Sequence, residues 1–566
     1  MTTRPVIAGP RHAVSAGHYL AAAAGLAILE DGGNAIDAGV AAGLVLGVVQ
    51  PDIVNVGGVA PIIVRRADGR IESIAGLGHW PRAIPPDLFM TRFGGKMPRG
   101  VLRTVIPAAP DAWIQALERH GTMGFADVAQ AAIRFADEGF PVYPMFHESI
   151  SKHIADYAEY PSNAAVFLPG GKPHPVGALF RQADLARTLR YMADEDRRAA
   201  SAGGRLAGLK AAHDAFYRGD IAAMIVRFNQ QEGGYLSAED MAEYRSRIEP
   251  VVTRHWRGHQ VTTCGPWCQG PALLEALLLI ERAGLDGLEH NSAPYLHLIA
   301  ESVKVAMADR EYHFGDPHFV DVPLETLLGE TYLDARLSGI DKARAHPGMP
   351  APLLNRGTDI PDPSTKPMAT IEPDTSYVAV VDREGNAFSA TPSDGTYNGP
   401  IVPGVGLIAS GRGTQSRPDP KHPCGVWPGK RPRLTPNPAM VVTRDGDVMP
   451  FGTPGGDVQT QAMLQVLLNH LHFGMDIQAA IEAPRVASYS FPSSFAPYDY
   501  FPARLAVEGR IPQSVRDELR EMGHEIKDWP DWIWLAGSVE AVRADKATGT
   551  RMAGADPRRP AYAVAM

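Results

Sequence analysis

The chain has 566 residues and a formal net charge of −9 with no long basic run, which excludes nucleic acid as an expected partner, since phosphate binding needs clustered Lys and Arg. Hydrophobic residues make up 45% of it and charged residues 21%, the balance of a soluble globular protein with room for roughly three or four average domains or fewer large ones. The three cysteines, Cys264, Cys268 and Cys424, are too few and odd in number for a disulfide framework and fit a reducing compartment.

At the N-terminus no charged segment leads directly into an apolar core, so no secretory signal is expected. The most apolar stretch, residues 38–49, is too short to cross a bilayer, and a cytoplasmic protein without membrane contact is the expectation. Residues 15–30 read as a helix stopped by Gly32-Gly33, and Asn34 can cap a second helix to about residue 49. Residues 61–76 read as a hairpin turning at Asp68-Gly69. Helical periodicity dominates from about 110 to 310, as in "PALLEALLLIERAG" and "APYLHLIAESVKVAMADREY".

Within that region "TCGPWCQGP" places Cys264 and Cys268 four apart, but no second pair completes a zinc site, and packed thiols are the simpler reading. His313 and His318, in a Gly-Asp-Pro loop, match no usual ligand set, so neither a metal nor another cofactor is expected. Residues 340–374 are proline-rich and aperiodic, an exposed linker by composition. It ends where "TSYVAVVDREGNAFSATPSDG" begins.

Thr375 to Val381 is apolar on both faces beyond its first two residues, the pattern of a strand covered on both sides. "DREGN" supplies the turn. With Asp382 opposite Ala387, Thr375 stands opposite Asp394, and Ser393 and Asp394 return beside it. A hydroxyl-led strand is usually only a strand. It becomes a nucleophile if the chain is cut between Asp374 and Thr375. A threonine hydroxyl needs a base, and a free α-amine with a pKa of roughly 7.7–8.0 can serve as one. Further on, "GTPGGD" sets Gly455 and Gly456 ahead of a helix within 451–474. Taken alone that is a tight turn; beside a nucleophile its bare N–H groups suit a developing oxyanion. A helix near 511–523 and a strand in "AYAVA" close the chain.

Six segments in order resemble the gamma-glutamyltranspeptidases (glutathione hydrolases) of the N-terminal-nucleophile hydrolase superfamily. They are "ILEDGGNAIDAGVAAGLVLGVVQPD", "AESVKVAMADREYHFGDPHF", "DTSYVAVVDREGNAFSAT", "PGKRPRLTPNPAMVV" with "GTPGGD", "AIEAPRV" and "GADPRRPAYAVA". The resemblance implies an α/β fold, a four-layer αββα sandwich made as one intertwined unit. It implies a precursor that cuts itself before Thr375 into a large subunit, 1–374, and a small one, 375–566, which stay associated; a higher homo-oligomer is left open. It also implies that Thr375 attacks an amide carbonyl and passes the acyl group to water or an amine. Ser393 orients the nucleophile, Gly455 and Gly456 form the oxyanion hole, and Thr435 stands for one of two serines that hold the substrate carboxylate, Leu434 replacing the other.

The departures concern the substrate. The family's carboxylate-binding arginine falls at Leu77, with His79 and Arg82 nearby. The amino-group ligands fall near Asp394-Gly395 and Ser410-Gly411-Arg412-Gly413, where the second stretch has no carboxylate. Candidates for a different clamp are His79, Arg103, Asp394, Tyr397, Asn398 and Arg412, each of which also suits a structural duty. The expectation is an N-terminal-threonine amidohydrolase or acyltransferase on a γ-glutamyl or related small acidic amide. The alternatives are an oxamate-type amidohydrolase, a non-catalytic relative that binds, and a metallohydrolase.

Overall fold

The computed structural model describes residues 2–354 and 374–566, so residues 355–373 of the proline-rich stretch lie outside the described residues. Two seven-stranded sheets, each antiparallel at every named pairing, form the centre. One runs, in spatial order, Ile7–Gly9, Arg551–Ala555, Glu540–Ala544, Val448–Gly452, Ala439–Val442, His259–Thr263 and Val252–Trp256. The other runs Tyr562–Ala565, Ala13–Ala16, Val378–Val381, Ala387–Ala390, Ile62–Arg65, Ile71–Ile74 and Ile248–Glu249.

Alternation along each strand divides the core into layers. Tyr377, Ala379 and Val381 pack with Met440, Val448 and Val542 between the sheets. Val378, Val380, Phe388 and Ala390 point the other way, into a cluster with the helix Ala35–Val49. On the far side the helices Gly270–Ala283 and Gln459–Leu471 pack on the first sheet, and Ala293–His313 packs against Gly270–Ala283. The result is the four-layer αββα sandwich.

The expected second helix forms as read. Asn34 Oδ1 accepts from the Ile36 and Asp37 amides at 2.8 and 3.1 Å, and Asp37 Oδ2 accepts the Asn34 amide at 2.9 Å. All of its residues are buried, which is why its sequence is apolar all round. Among the described residues no helix is long and apolar enough to cross a membrane. The first helix is shorter than expected, because Ala13–Ala16 is a central strand and the helix Tyr19–Glu30 begins only after His18, whose Nδ1 accepts the Leu20 amide at 3.2 Å.

The hairpin register differs from the expectation by one residue. Val378 pairs with Ala390 and Val381 with Ala387. Asp382 and Asn386 close the turn: the Asp382 amide donates to the Asn386 carbonyl at 3.1 Å, and Asp382 Oδ1 accepts the Asn386 amide at 2.8 Å. That leaves a three-residue loop with Gly385 at φ 90°, a conformation glycine adopts without strain. Carried back along the strands, this register sets Thr375 opposite Ser393 instead of Asp394.

Candidate active site

Thr375 heads the strand Val378–Val381 and is wholly buried. Its Oγ1 lies 2.6 Å from Ser393 Oγ, its amide donates to the Ile53 carbonyl at 3.0 Å, and the Arg559 Nη1 stands 3.4 Å from its own carbonyl. Its φ is +75°, a left-handed conformation that a β-branched residue rarely adopts. Strain of that kind costs on the order of 1–3 kcal/mol and persists only where the surroundings impose it. Asp394, the residue after Ser393, is likewise at φ 106°.

The Asp374 side chain is the centre of the charge network. Arg412 grips it with both terminal nitrogens, Nη1 to Oδ2 at 2.6 Å and Nη2 to Oδ1 at 2.7 Å. Ser393 Oγ donates to Oδ1 at 2.9 Å and accepts a short hydrogen bond from Arg412 Nη2. A continuous path therefore runs from the Thr375 hydroxyl through Ser393 to the Asp374 carboxylate. Asp394 Oδ2 accepts Ser410 Oγ at 2.7 Å and the Gly411 amide at 2.9 Å. Burial, opposed by the Arg412 charge, raises the Asp394 carboxyl to about 6.

Gly455 and Gly456 take φ of 125° and 58° after the strand Val448–Gly452, and among the described residues neither amide donates a hydrogen bond. The turn is held from behind. Gln269 Nε2 donates to the Gly456 carbonyl at 2.9 Å, Ser494 donates to Asp457 by amide and hydroxyl at 2.8 and 2.7 Å, and buried Arg310 pairs with Asp457. A cavity of about 110 Å³ is lined by Asp374, Tyr397, Gly455 and Gly456. Tyr489, Phe491, Phe495 and Phe501 complete its aromatic lining. Those aromatics were not singled out from the sequence; the available signal was four rings in a serine- and proline-rich stretch with no strand or helix period.

The structure thus gathers Thr375, Ser393, Asp374, Asp394 and Arg412 into one network and sets Gly455, Gly456 and Tyr397 beside it. Thr435 sits one step back, its Oγ1 accepting Gln415 Nε2 at 2.8 Å, and Gln415 ends the turn Arg412–Gln415. Arg103 belongs to the turn Val101–Arg103, which packs behind that of Arg412, and its guanidinium donates to the Met97 carbonyl. The Asn398 carbonyl accepts the Gly100 amide at 3.2 Å. His79 Nδ1 is 2.9 Å from the Trp80 carbonyl, and the charges around its ring are Asp240, Arg82 and Arg247; burial lowers its pKa. Leu77, where the family's arginine was expected, is packed in the core between the sheets. Cys264, Cys268 and Cys424 are buried and free. His318 pairs with Glu249 at 3.6 Å.

Two facing antiparallel sheets between helical layers, with a buried nucleophile candidate at the head of a central strand, define an N-terminal-nucleophile hydrolase fold. A family model described as gamma-glutamyltranspeptidase matches residues 21–566, and the chain belongs to that family. It is 30% identical over 563 residues to the glutathione hydrolase-like YwrD proenzyme of Bacillus subtilis, covering 99% of each chain. To the acylase ACY 1 proenzyme of a Pseudomonas strain it is 30% identical, over 94% of this chain and 90% of that one. The solved cephalosporin acylase of Bacillus halodurans superposes with a TM-score of 0.83 at 28% identity, over 100% of this chain and 98% of that one. The chain is accordingly a hydrolytic enzyme of a family whose relatives are named as proenzymes.

Proposed function

We propose that the chain cuts itself between Asp374 and Thr375 and then works as an N-terminal-threonine amidohydrolase on small acidic amides. The observation that carries this is the 2.6 Å contact between Thr375 Oγ1 and Ser393 Oγ, at a strained residue that follows directly on a clamped carboxylate. Residues 1–374 form the large subunit and 375–566 the small one. They stay together because the second sheet interleaves them: Ala13–Ala16 lies between Tyr562–Ala565 and Val378–Val381. The buried free cysteines fit a reducing, cytoplasmic setting.

In the precursor, Thr375 Oγ1 attacks the Asp374 carbonyl carbon, and its proton leaves through Ser393 toward the Asp374 carboxylate. The C–N bond breaks as the nitrogen takes up a proton, and an ester is left on Oγ1. Water hydrolyses the ester, freeing the Thr375 amine and a new carboxyl end at Asp374. In turnover that amine, with a pKa of roughly 7.7–8.0, takes the hydroxyl proton and later passes it to the departing amine of the substrate. The Gly455 and Gly456 amides stabilise the oxyanion. Water, or an acceptor amine, then removes the acyl group.

Arg412 holds the carboxylate of the acyl group, taking the part that an arginine at the Leu77 position would otherwise play. With Leu77 an apolar core residue, this favours an acid other than γ-glutamyl. The test is denaturing electrophoresis of purified protein with an amide panel. Two fragments, a single intact chain for Thr375→Ala, and activity confined to the cleaved form are expected. An active, unbroken wild-type chain would sink the proposal.

A further inference from the structure

Resting on the reading above, we infer that the acyl subsite is cut for a four-carbon dicarboxylic acyl group, succinyl in its spacing, carried on an apolar or aromatic amine. The template is the chain's own scissile residue. Asp374 is the acyl half of the bond to be broken, and its carboxylate stands two carbons, Cα and Cβ, from the scissile carbonyl. The ester formed during self-cleavage has the same connectivity as an acyl-enzyme bearing a succinyl-type group. In that arrangement the carboxylate is already received: two Arg412 contacts at 2.6 and 2.7 Å and one from Ser393 at 2.9 Å, with only 1% and 4% of the Arg412 and Asp374 side chains exposed.

When Asp374 departs as the end of the large subunit, Arg412 loses that partner. The Asp394 charge also acts on Arg412, but among the described residues no hydrogen bond joins the two: Oδ2 of Asp394 is engaged by Ser410 and Gly411, and its Oδ1 has no hydrogen-bond partner. A buried guanidinium left without a hydrogen-bonded carboxylate favours another anion in the place that Asp374 vacates. Asp374 also lines the cavity of about 110 Å³, so its release joins that cavity to Arg412. The aromatic lining of Tyr489, Phe491, Phe495 and Phe501 has the chemistry of a leaving-group site for a ring or aliphatic amine. A glutaryl or γ-glutamyl chain has three carbons between carbonyl and carboxylate and overshoots Arg412 by one bond, ~1.5 Å.

The test uses protein shown by mass spectrometry to be cleaved at Thr375, assayed with succinyl-, glutaryl-, γ-glutamyl- and butyryl-p-nitroanilide. Succinyl is expected to lead glutaryl and γ-glutamyl in kcat/KM by about tenfold or more, the discrimination one methylene allows. It should lead neutral butyryl by about a hundredfold or more, because butyryl leaves Arg412 unpaired. Calorimetric titration of the cleaved protein with succinate and glutarate gives a reading independent of turnover, with succinate the tighter. In the precursor, Asp374→Glu sets a glutaryl spacing across the scissile bond and is expected to slow self-cleavage by about tenfold or more. A cleaved enzyme that takes glutaryl, γ-glutamyl or butyryl as well as succinyl, or binds glutarate as tightly as succinate, overturns the inference alone. A chain that never cleaves overturns the reading beneath it as well.

Discussion

Thr375 and Ser393 face each other three residues beyond the last named hairpin pair, with their hydroxyl oxygens 2.6 Å apart and Ser393 in turn 2.9 Å from the Asp374 carboxylate. The contact is set by the three-residue turn at 383–385. With a four-residue turn, Thr375 would meet Asp394, whose carboxylate is occupied by Ser410 and Gly411. Ser393→Ala removes the middle of the proton path and leaves a buried threonine hydroxyl without that partner. Self-cleavage followed by electrophoresis is expected to slow by about 10²-fold or more, the contribution typical of a positioned proton acceptor. Ser393→Thr, which keeps the hydroxyl, is expected to restore most of the rate.

Breaking the Asp374–Arg412 pair from either end leaves one buried charge alone, which costs about 3–5 kcal/mol. Arg412→Ala is therefore expected to lower the denaturation midpoint of the uncleaved Thr375→Ala precursor. Arg412→Lys keeps the charge but loses the two-pronged grip, and should fall between. Should Arg412→Ala denature at the same midpoint as its parent, the pair contributes nothing and the clamp loses its physical basis.

Much of this site was legible in the sequence, and the reasons for the rest are physical. Asn34 announces its helix because capping is local, and the hairpin shows because a strand apolar on both faces reads as buried. The register was missed by one because it depends on whether Asp382 pairs with Asn386 or Ala387, a choice made by Gly385 and the Asp382 side chain together. Ser15 and Ala16 read as helix because alanine-rich apolar runs carry no period; only the neighbours Val378–Val381 and Tyr562–Ala565 make them the end of the strand Ala13–Ala16. Arg412 was a candidate among several. Its pairing with Asp374 spans 38 residues and is fixed by tertiary structure alone.

Asp394 gives the stability a pH dependence of definite sign. Burial raises its folded carboxyl to about 6 from an unfolded value near 3.8. A carboxyl raised on folding favours the folded state fully below the unfolded value, and that contribution is lost as pH rises through about 6; the size is roughly 3 kcal/mol. Asp394→Asn cannot ionise. Its denaturation free energy relative to wild type is therefore expected to improve from pH 4 to pH 8, most steeply near pH 5, between the unfolded and folded values, and to level off above about 7. A difference that stays flat across that range would show that Asp394 keeps its ordinary acidity in the fold.

The last prediction concerns the glycine turn. Gly456 sits at φ 58°, and a Cβ there would come within 3.2 Å of the Phe495 ring. Gly456→Ala thus meets two penalties: roughly 1–2 kcal/mol for a side chain in the left-handed region, and a contact that pushes either the turn or the aromatic wall aside. Global stability should change little more than that, since Gln269, Arg310 and Ser494 hold the turn from behind. Activity should suffer further, because a donor displaced from a developing oxyanion costs about 10²–10³ in kcat. Measured on the cleaved enzyme, the expected signature is a fall in kcat with KM nearly unchanged, the loss of an interaction made in the transition state. If KM rises while kcat holds, the turn serves substrate binding instead, and the oxyanion site has to be sought at other backbone amides.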